Sequence, residues 1–439
     1  MIVMKFGGTS LADEAAIENA CNIVANYMHR KPFVVVSALA GVTDDLVEAA
    51  NLAEQGEIEL ALQTASRLTA QHVALLPSVK RYFRPLFRIL GAVKEYGHLT
   101  PEIKDRIYSI GEAVSSLIFT DRLSRQGLAA VHFDATKFMI TDDTFGEAVP
   151  QLEIMTERLK REALPHLSAG KVAVMGGYIG ATRDGLNTTF GRDGSDFSAS
   201  LVGAALKAEQ IQIWTDVDGI MTANPRTVPD AQTIFNLTFR NAAELAFFGG
   251  KLHPKSLEPA ERLGIPIRVR NYSNPEHGGT LISRNSPNRG SPIISIACKK
   301  DVEVVTVQSN TMNDRPGFLA RLYQVFAKHD VPADVVTTSE VTVSTSIERN
   351  RRTGAFEGDL RDLGKVTITE QQAIIAIVIN ERVDSWDVRC RALASVEVAP
   401  AMVSQGDQGS NLSLVVHASR ADDLVRKLHR EFFAPVAVS

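Results

Sequence analysis

The first residues able to do chemistry stand at the start of the chain. A short apolar run, Ile2-Val3-Met4-Lys5-Phe6, leads straight into Gly7-Gly8-Thr9-Ser10 and then a helix-like stretch containing Asp13 and Glu14. Glycines at a strand-to-helix turn let backbone N–H groups approach an anion, and the helix N-terminus adds positive potential. Lys5, two residues before the glycines, could bring a point charge to a phosphate. The same residues also suit a tight turn with a lysine at a strand edge, since they spell neither GxxxxGK[ST] nor GxGxxG. A second glycine-rich strand end, Gly176-Gly177-Tyr178-Ile179-Gly180, runs on to Thr188-Thr189-Phe190-Gly191-Arg192-Asp193-Gly194-Ser195-Asp196. An arginine between glycines suits bidentate capture of a carboxylate or phosphate. Ser195 or Asp196 is a ready N-cap for the helix that follows. Capping alone needs neither Arg192 nor Gly185, Gly191 and Gly194, so function is the stronger reading there. A third run, Ile211 to Thr215, ends in Asp216-Val217-Asp218-Gly219 and then Asn224-Pro225-Arg226. In open α/β sheets ligands sit beyond the carboxyl ends of strands, and all three clusters fall at such ends.

What is missing is also informative. None of the ten histidines pairs with a cysteine or serine in a nucleophile motif, there is no HExxH, and His253 before Pro254 reads as a loop residue. The three cysteines, Cys21, Cys298 and Cys390, are far apart and form no metal-ligand spacing, which fits reduced thiols in the cytoplasm. A kinase that phosphorylates a carboxylate needs no general base, because a group with a pKa of about 4 is already ionised at pH 7. The absent base therefore fits acyl-phosphate formation.

The elements that must hold these residues alternate short β-branched runs with longer amphipathic stretches over the first 285 or so residues, the pattern of a parallel sheet covered by helices. Strands are expected at Ile2 to Phe6, Phe33 to Ser37, Ala129 to Asp134, Lys171 to Gly176, Gln210 to Asp216 and Pro266 to Asn271, with inserted helices from Asp44 to Thr120. Around Ser283 to Pro292 the chain turns polar and rich in turn formers, which marks a linker. Two βαββ-like passes follow, and the arginine-rich stretch from Arg349 to Gly364 reads as a solvated loop. The chain has 439 residues, 44% hydrophobic and 22% charged, with a net charge of −4. That mix is globular, without the basic excess of a nucleic-acid binder or an apolar run long enough for a membrane helix. No signal or transit peptide is read at the N-terminus.

Taken together, the motifs resemble those of aspartokinases, members of the amino-acid-kinase fold with C-terminal ACT regulatory domains. The likeness covers nearly the whole chain. It is carried by KFGGTS at 5–10, SALAGVTD at 37–44, IGEAVS at 110–115, FDA at 133–135, TTFGRDGSD at 188–196, WTDVDGI and NPR within 214–226, and NPEHGGTLI at 274–282. The regulatory part matches through DRPGFLA at 314–320, VVTTSEVTVS at 335–344 and SQGDQGSNLS at 404–413.

The resemblance implies an α/β fold, a three-layer amino-acid-kinase domain with a mostly parallel sheet plus two C-terminal βαββ-type ACT units of α+β type. The implied boundaries are 1–285 for the kinase domain, 286–295 for a linker, 296–365 for the first ACT unit and 366–439 for the second. It implies ATP with Mg²⁺, and phosphorylation of the L-aspartate side chain at the start of the lysine, threonine and methionine pathway. Lys5, Gly7, Gly8, Thr9 and Ser10 would hold the ATP phosphates, with Thr215, Asp216, Met221, Arg226 and Lys251 lining the nucleotide site. Thr43, Glu112, Arg192 and Ser195 would bind aspartate, Glu112 meeting its amino group and Arg192 a carboxylate. Lys5, Arg192 and Asp196 would be catalytic, Asp196 organising the transferring phosphate and its Mg²⁺. Met312, Asp334 and Ser339 would meet an amino-acid effector, lysine or threonine, in a homodimer or homotetramer joined through the ACT units.

Some positions depart from the family pattern. Phe248-Gly249-Gly250-Lys251-Leu252-His253-Pro254 is one residue shorter after the lysine than the usual FGAKVLHP, and Met221 stands where an aromatic is common. Arg315-Pro316 and Pro332 replace small polar residues of lysine-sensitive relatives. The competing reading is a catalytically weak amino-acid sensor on a kinase-like scaffold.

Overall fold

In the computed structural model, residues 1–247, 252–285, 291–310, 312, 317–380, 383–406 and 410–434 are described. They form two compact units. The first comprises Met1–Ile220, Phe235–Phe239 and Leu252–Ser286; the second comprises Met221–Ile234, Arg240–Lys251 and Pro287–Ser439. The expected kinase domain, continuous over 1–285, thus gives up two segments to the C-terminal unit.

The strands are β1 (Ile2–Phe6), β2 (Pro32–Val36), β3 (Ala130–Phe133), β4 (Val172–Gly176), β5 (Ile179–Ala181), β6 (Asn187–Thr189), β7 (Gln210–Thr215), β8 (Asn236–Thr238), β9 (Ile267–Asn271) and β10 (Thr280–Ser283) in the first unit. Eight of them form one sheet in the order β3-β4-β2-β1-β7-β9-β10-β8, while β5 and β6 pair as a small hairpin. The sheet is parallel except between β9 and β10. All of β1, β2 and β4 is buried, because helices cover both faces and unbroken apolar runs suit such strands. Register then aligns the carboxyl ends: Phe6 lies beside Val36 and Trp214, and Val36 beside Gly176. Gly7, Ser37, Gly177 and Thr215 therefore emerge at one edge of the sheet.

Between β2 and β3 the chain forms helices Val42–Glu54, Ile58–Leu75, Lys80–Tyr96, Pro101–Tyr108 and Ile110–Arg125. Alanines and leucines at three-to-four spacing seal this layer, among them Leu46, Ala49, Ala53, Ala61, Ala65 and Leu68. The helix Glu14–Asn26 starts at Asp13, whose carboxylate accepts the Ala16 N–H at 2.8 Å.

The second unit contains β11 (Ile293–Gln308), β12 (Val336–Thr338), β13 (Thr342–Glu348), β14 (Lys365–Ile379), β15 (Met402–Gln405) and β16 (Asn411–His417), in the order β12-β13-β11-β14-β16-β15 and antiparallel throughout. Strands β11 and β14 pair along their whole length, with register shifts between Lys299 and Val304. The shifts divide them. Their outer halves, with Val305, Val307 and Val366, pack under Phe318, Leu322, Phe326, Phe356 and Leu360. Their other halves, with Ile293, Ile296, Ile375 and Ile377, pack under Val388, Leu424, Leu428 and Phe432. The two ACT-type layers thus share two long strands, and the first is inserted within the second rather than preceding it at 296–365. Ile293 to Ser295, expected as linker, already belong to β11. Gly354–Arg361, expected as loop, is a helix, because Thr353 accepts the Phe356 N–H and Phe356 and Leu360 are buried one turn apart.

Candidate active site

A cleft of about 440 Å³ opens at the carboxyl edge of the large sheet, and Lys5, Gly8, Thr43, Glu112, Arg192 and Ser195 line it. Residues far apart in the chain meet there because they leave neighbouring parallel strands, or helix starts directly beyond them. Lys5 is the fourth residue of the central strand, and its ammonium lies 2.6 Å from Asp196 Oδ1. Both side chains are buried, with 11% of Lys5 and 7% of Asp196 exposed. Burial pushes the Asp196 carboxyl above its ordinary range, and the Lys5 ammonium opposes that rise. Asp196 sits in the first turn of the helix Gly194–Leu206. The expected cap is not made. Asp193 is the N-cap residue, in left-handed backbone with φ 53° and no side-chain cap bond, so Asp196 is free to face Lys5.

Close backbone approach sets the remaining geometry. A Cβ on Gly177 would lie 2.8 Å from Ser195 Cα, so only glycine lets the end of β4 pass that helix. Glu112, on Ile110–Arg125, is 4% exposed, and its Oε2 has no hydrogen-bond partner. Burial raises its pKa to about 8, against the Ala38 N–H and Lys5, which favour the charged form. Arg192 stands exposed at the rim. The cleft therefore offers a cation held by a carboxylate at its floor, a buried acid with one unpartnered oxygen and an exposed guanidinium.

The N-terminal loop is more structural than its sequence suggests. Gly7 N–H donates to Trp214 O at 3.3 Å, and the fully buried Ser10 directs its hydroxyl at the same carbonyl. Both therefore brace the loop on β7, and Gly8 and the exposed Thr9 remain at its surface.

Comparison with known proteins places this arrangement. The model of the amino acid kinase family matches residues 1–271. The lysine-sensitive aspartokinase 3 of Escherichia coli K12 is 34% identical over 99% of both chains. A crystal structure of E. coli aspartokinase III with aspartate and ADP, in the R-state, superposes with a TM-score of 0.87 at 32% identity, covering 98% of this chain and 99% of that one. The lysine and aspartate complex of that enzyme, in the T-state, gives 0.82 at 32% identity over 99% of both. This chain belongs to the aspartokinases.

Within this aspartokinase the other expected site residues are distributed unevenly. Thr215 and Asp216 close β7, with Thr215 Oγ1 donating to Asp216 Oδ1 at 3.1 Å. Met221 and Arg226 lie on the segment Met221–Ile234 of the second unit, Met221 half-buried and Arg226 exposed beside an Asn224 turn. Lys251 lies outside the described residues. Of the expected effector contacts, Asp334 is ion-paired to Lys299 at 2.8 Å, and Lys299 also meets Glu348 at 3.1 Å. Met312 packs against the core of the first ACT-type layer, and Ser339 hydrogen-bonds Thr342 Oγ1 at 2.7 Å in a turn.

Sequence reasoning missed three contributors to this aspartokinase cleft. Tyr178 lines it with φ 64°, a backbone that non-glycine residues seldom adopt, so no residue-type signal announces it. The turn from Ser37 to Gly41 forms one wall, although the family resemblance singles out only Thr43 in that motif. Asp105, 1% exposed, accepts Gly146 N–H and both the N–H and hydroxyl of Thr189 and so anchors the TTFGRDGSD segment. Nothing in a helix reading of Pro101–Tyr108 would have found it.

Proposed function

We propose that the chain transfers the γ-phosphoryl group of ATP to the side-chain carboxylate of L-aspartate, giving 4-phospho-L-aspartate. This is the first step of the lysine, threonine and methionine pathway. The observation that carries the reading is the buried Lys5–Asp196 pair in one cleft with Arg192 and with Glu112, whose Oε2 has no partner. L-aspartate presents one ammonium and two carboxylates, and the cleft holds a complement for the ammonium and for one carboxylate. Glu112 receives the ammonium, Arg192 a carboxylate, and Thr43 and Ser195 complete the pocket. The side-chain carboxylate attacks as the anion it already is at neutral pH, so no proton need be removed. Lys5 neutralises charge on the transferring group, and catalysis is positioning plus electrostatics.

Gly8 and Thr9 at the loop surface, Thr215 and Asp216 at the end of β7, and Met221 and Arg226 form the nucleotide contacts in this reading, with Gly7 and Ser10 holding the loop. Among the described residues no three His, Cys, Asp or Glu side chains group to bind a metal. Mg²⁺ takes one or two carboxylates and otherwise nucleotide oxygens, and the buried Asp196 would be the carboxylate that holds it. Mg²⁺ bound with the nucleotide supplies further neutralisation of phosphate charge.

Lysine regulation is proposed on the likeness to the lysine-sensitive E. coli enzyme, with Met312, Asp334 and Ser339 as effector contacts. We further read the chain as a cytoplasmic homodimer or homotetramer joined through its ACT-type units. Among the described residues no helix is long and apolar enough to cross a membrane. An aspartyl-hydroxamate assay with ATP, repeated with lysine, with threonine and with both, tests the reading. Hydroxamate from aspartate, suppressed by lysine, is expected. No hydroxamate removes the kinase assignment, and indifference to both amino acids removes the regulation.

A further inference from the structure

The segment Met221–Ile234 continues from β7 but is built into the C-terminal unit. Its anchoring is specific. Thr222 N–H donates to Gln232 O and Gln232 N–H returns to Thr222 Oγ1, each at 2.9 Å. Ile296 N–H of β11 donates to Thr222 O at 2.8 Å. The Ser295 hydroxyl reaches Met221 O at 2.9 Å and Thr222 O at 3.1 Å. Ala223 and Val228 enter the core formed by Ile293, Ile296, Leu428 and Phe432. One side chain completes the hold. His429, on the helix Ala418–Phe433, is 5% exposed, and its Nε2 is hydrogen-bonded to Thr222 Oγ1 at 3.0 Å. Its ring stacks on Phe433 with centroids 4.6 Å apart. Burial lowers its pKa, so it stays neutral near pH 7.

We propose that His429 is a positioning residue for the nucleotide site: through Thr222 it fixes the segment that carries Met221 and Arg226. The proposal rests on those two residues being nucleotide contacts. A buried imidazole that bonds a backbone-locked threonine adds little to a hydrophobic core, which an apolar ring would fill as well. What it adds is direction, since the hydroxyl it bonds is also the acceptor that closes the 222–232 turn. The exposed residues of that turn, Asn224 to Arg226, are thereby held by the regulatory unit, and a shift of the helix Ala418–Phe433 moves them directly. The effect falls on nucleotide affinity and leaves aspartate affinity alone, because Glu112, Thr43, Arg192 and Ser195 lie outside the segment that His429 holds.

The test compares His429→Phe, which keeps the ring and its stacking, with Thr222→Val, His429→Gln and Arg226→Ala, all in the full chain. KM for ATP and for aspartate, kcat and the melting temperature are measured for each. His429→Phe and Thr222→Val should each raise KM for ATP about fivefold or more, with aspartate KM within about twofold of the parent, as expected when one buried hydrogen bond is lost. His429→Gln, which can still bond Thr222, should restore ATP KM, and the Phe/Val double variant should be no worse than either single one. Unchanged ATP KM in both clamp variants, or ATP and aspartate KM rising together, overturns the proposal whatever Arg226→Ala does. A rise in the clamp variants without one in Arg226→Ala upholds the clamp and moves the nucleotide contact to another residue of the segment.

Discussion

Two glutamates, one in each unit, are buried to nearly the same degree yet live in opposite surroundings. Glu303 on β11 is 0% exposed and meets Arg352 Nε at 2.6 Å and Arg349 Nε at 3.8 Å. Arg352 in turn pairs with Glu357 at 3.0 Å and Glu370 at 2.6 Å, so the charge ends in a closed network tying three elements of the C-terminal sheet together. Glu112 is 4% exposed and makes no ion pair among the described residues, and the nearby Lys5 is held by Asp196. Ionising a buried carboxyl without a cation costs several kcal/mol, so such a group keeps its proton until a ligand supplies the positive charge. The paired glutamate therefore marks architecture, and the unpaired one marks a site.

The hardest test of this contrast is at the floor of the cleft. Lys5→Ala and Asp196→Ala should each lower kcat by about a hundred- to a thousandfold, the usual loss when one preorganised charge at a transferring group is removed. Circular dichroism should remain that of the parent. Near-normal kcat in either variant would dissolve the idea that this pair is catalytic and leave it as another structural ion pair.

Glu112→Gln probes the unpaired acid on two axes. Loss of a charge-assisted contact to the substrate ammonium should raise aspartate KM about 10- to 100-fold with little change for ATP. Stability should move the other way. The folded carboxyl, with its pKa raised to about 8, holds a proton that the unfolded chain, titrating near 4.5, gives up. The parent therefore loses stability as pH climbs from about 4.5 to about 8, and the glutamine variant does not. Melting temperatures should coincide near pH 4 and favour the variant increasingly up to pH 8. A pH-independent difference would mean that Glu112 is already ionised and paired.

The contrast between the glutamates was only partly legible in the sequence. Strands β1, β2, β4 and β7 declare themselves because strands covered on both faces need unbroken apolar runs, and their carboxyl ends then give away the cleft. Strands β5, β6, β8 and β10, at three or four residues each, are too short for any period to show. Lys5 and Arg192 could be found from neighbouring glycines, whereas Glu112 sits in a helix where a lone acid normally faces water, and only the family resemblance singled it out. The segment Met221–Ile234 reads as a loop because Asn224-Pro225-Arg226 and Pro229-Asp230 are turn formers. Its attachment depends on β11, some 70 residues later in the chain, for which local pattern holds no information. Likewise the charged residues around Phe356 and Leu360 hid a helix whose apolar face is only two residues wide.

Glu303→Ala should have the smallest effect on turnover and yet a clear one on the fold. Removing the carboxylate leaves the Arg352 guanidinium with Glu357 and Glu370 still beside it, so the loss is softened relative to a bare buried charge and should amount to about 2–4 kcal/mol. Because β11, the turn at Arg349–Arg351 and the helix Gly354–Arg361 converge on this carboxylate, destabilisation should appear as faster amide exchange along β13 and the outer half of β14, with the strands around Lys5 unchanged. Turnover at saturating ATP and aspartate should stay within about twofold of the parent. Glu303→Gln separates charge from packing: it keeps the shape and can still accept from Arg352, and should recover part of the loss. A collapse of kcat in Glu303→Ala without faster exchange would mean that the closed network also serves the reaction. Pairing would then no longer distinguish an architectural carboxylate from a functional one.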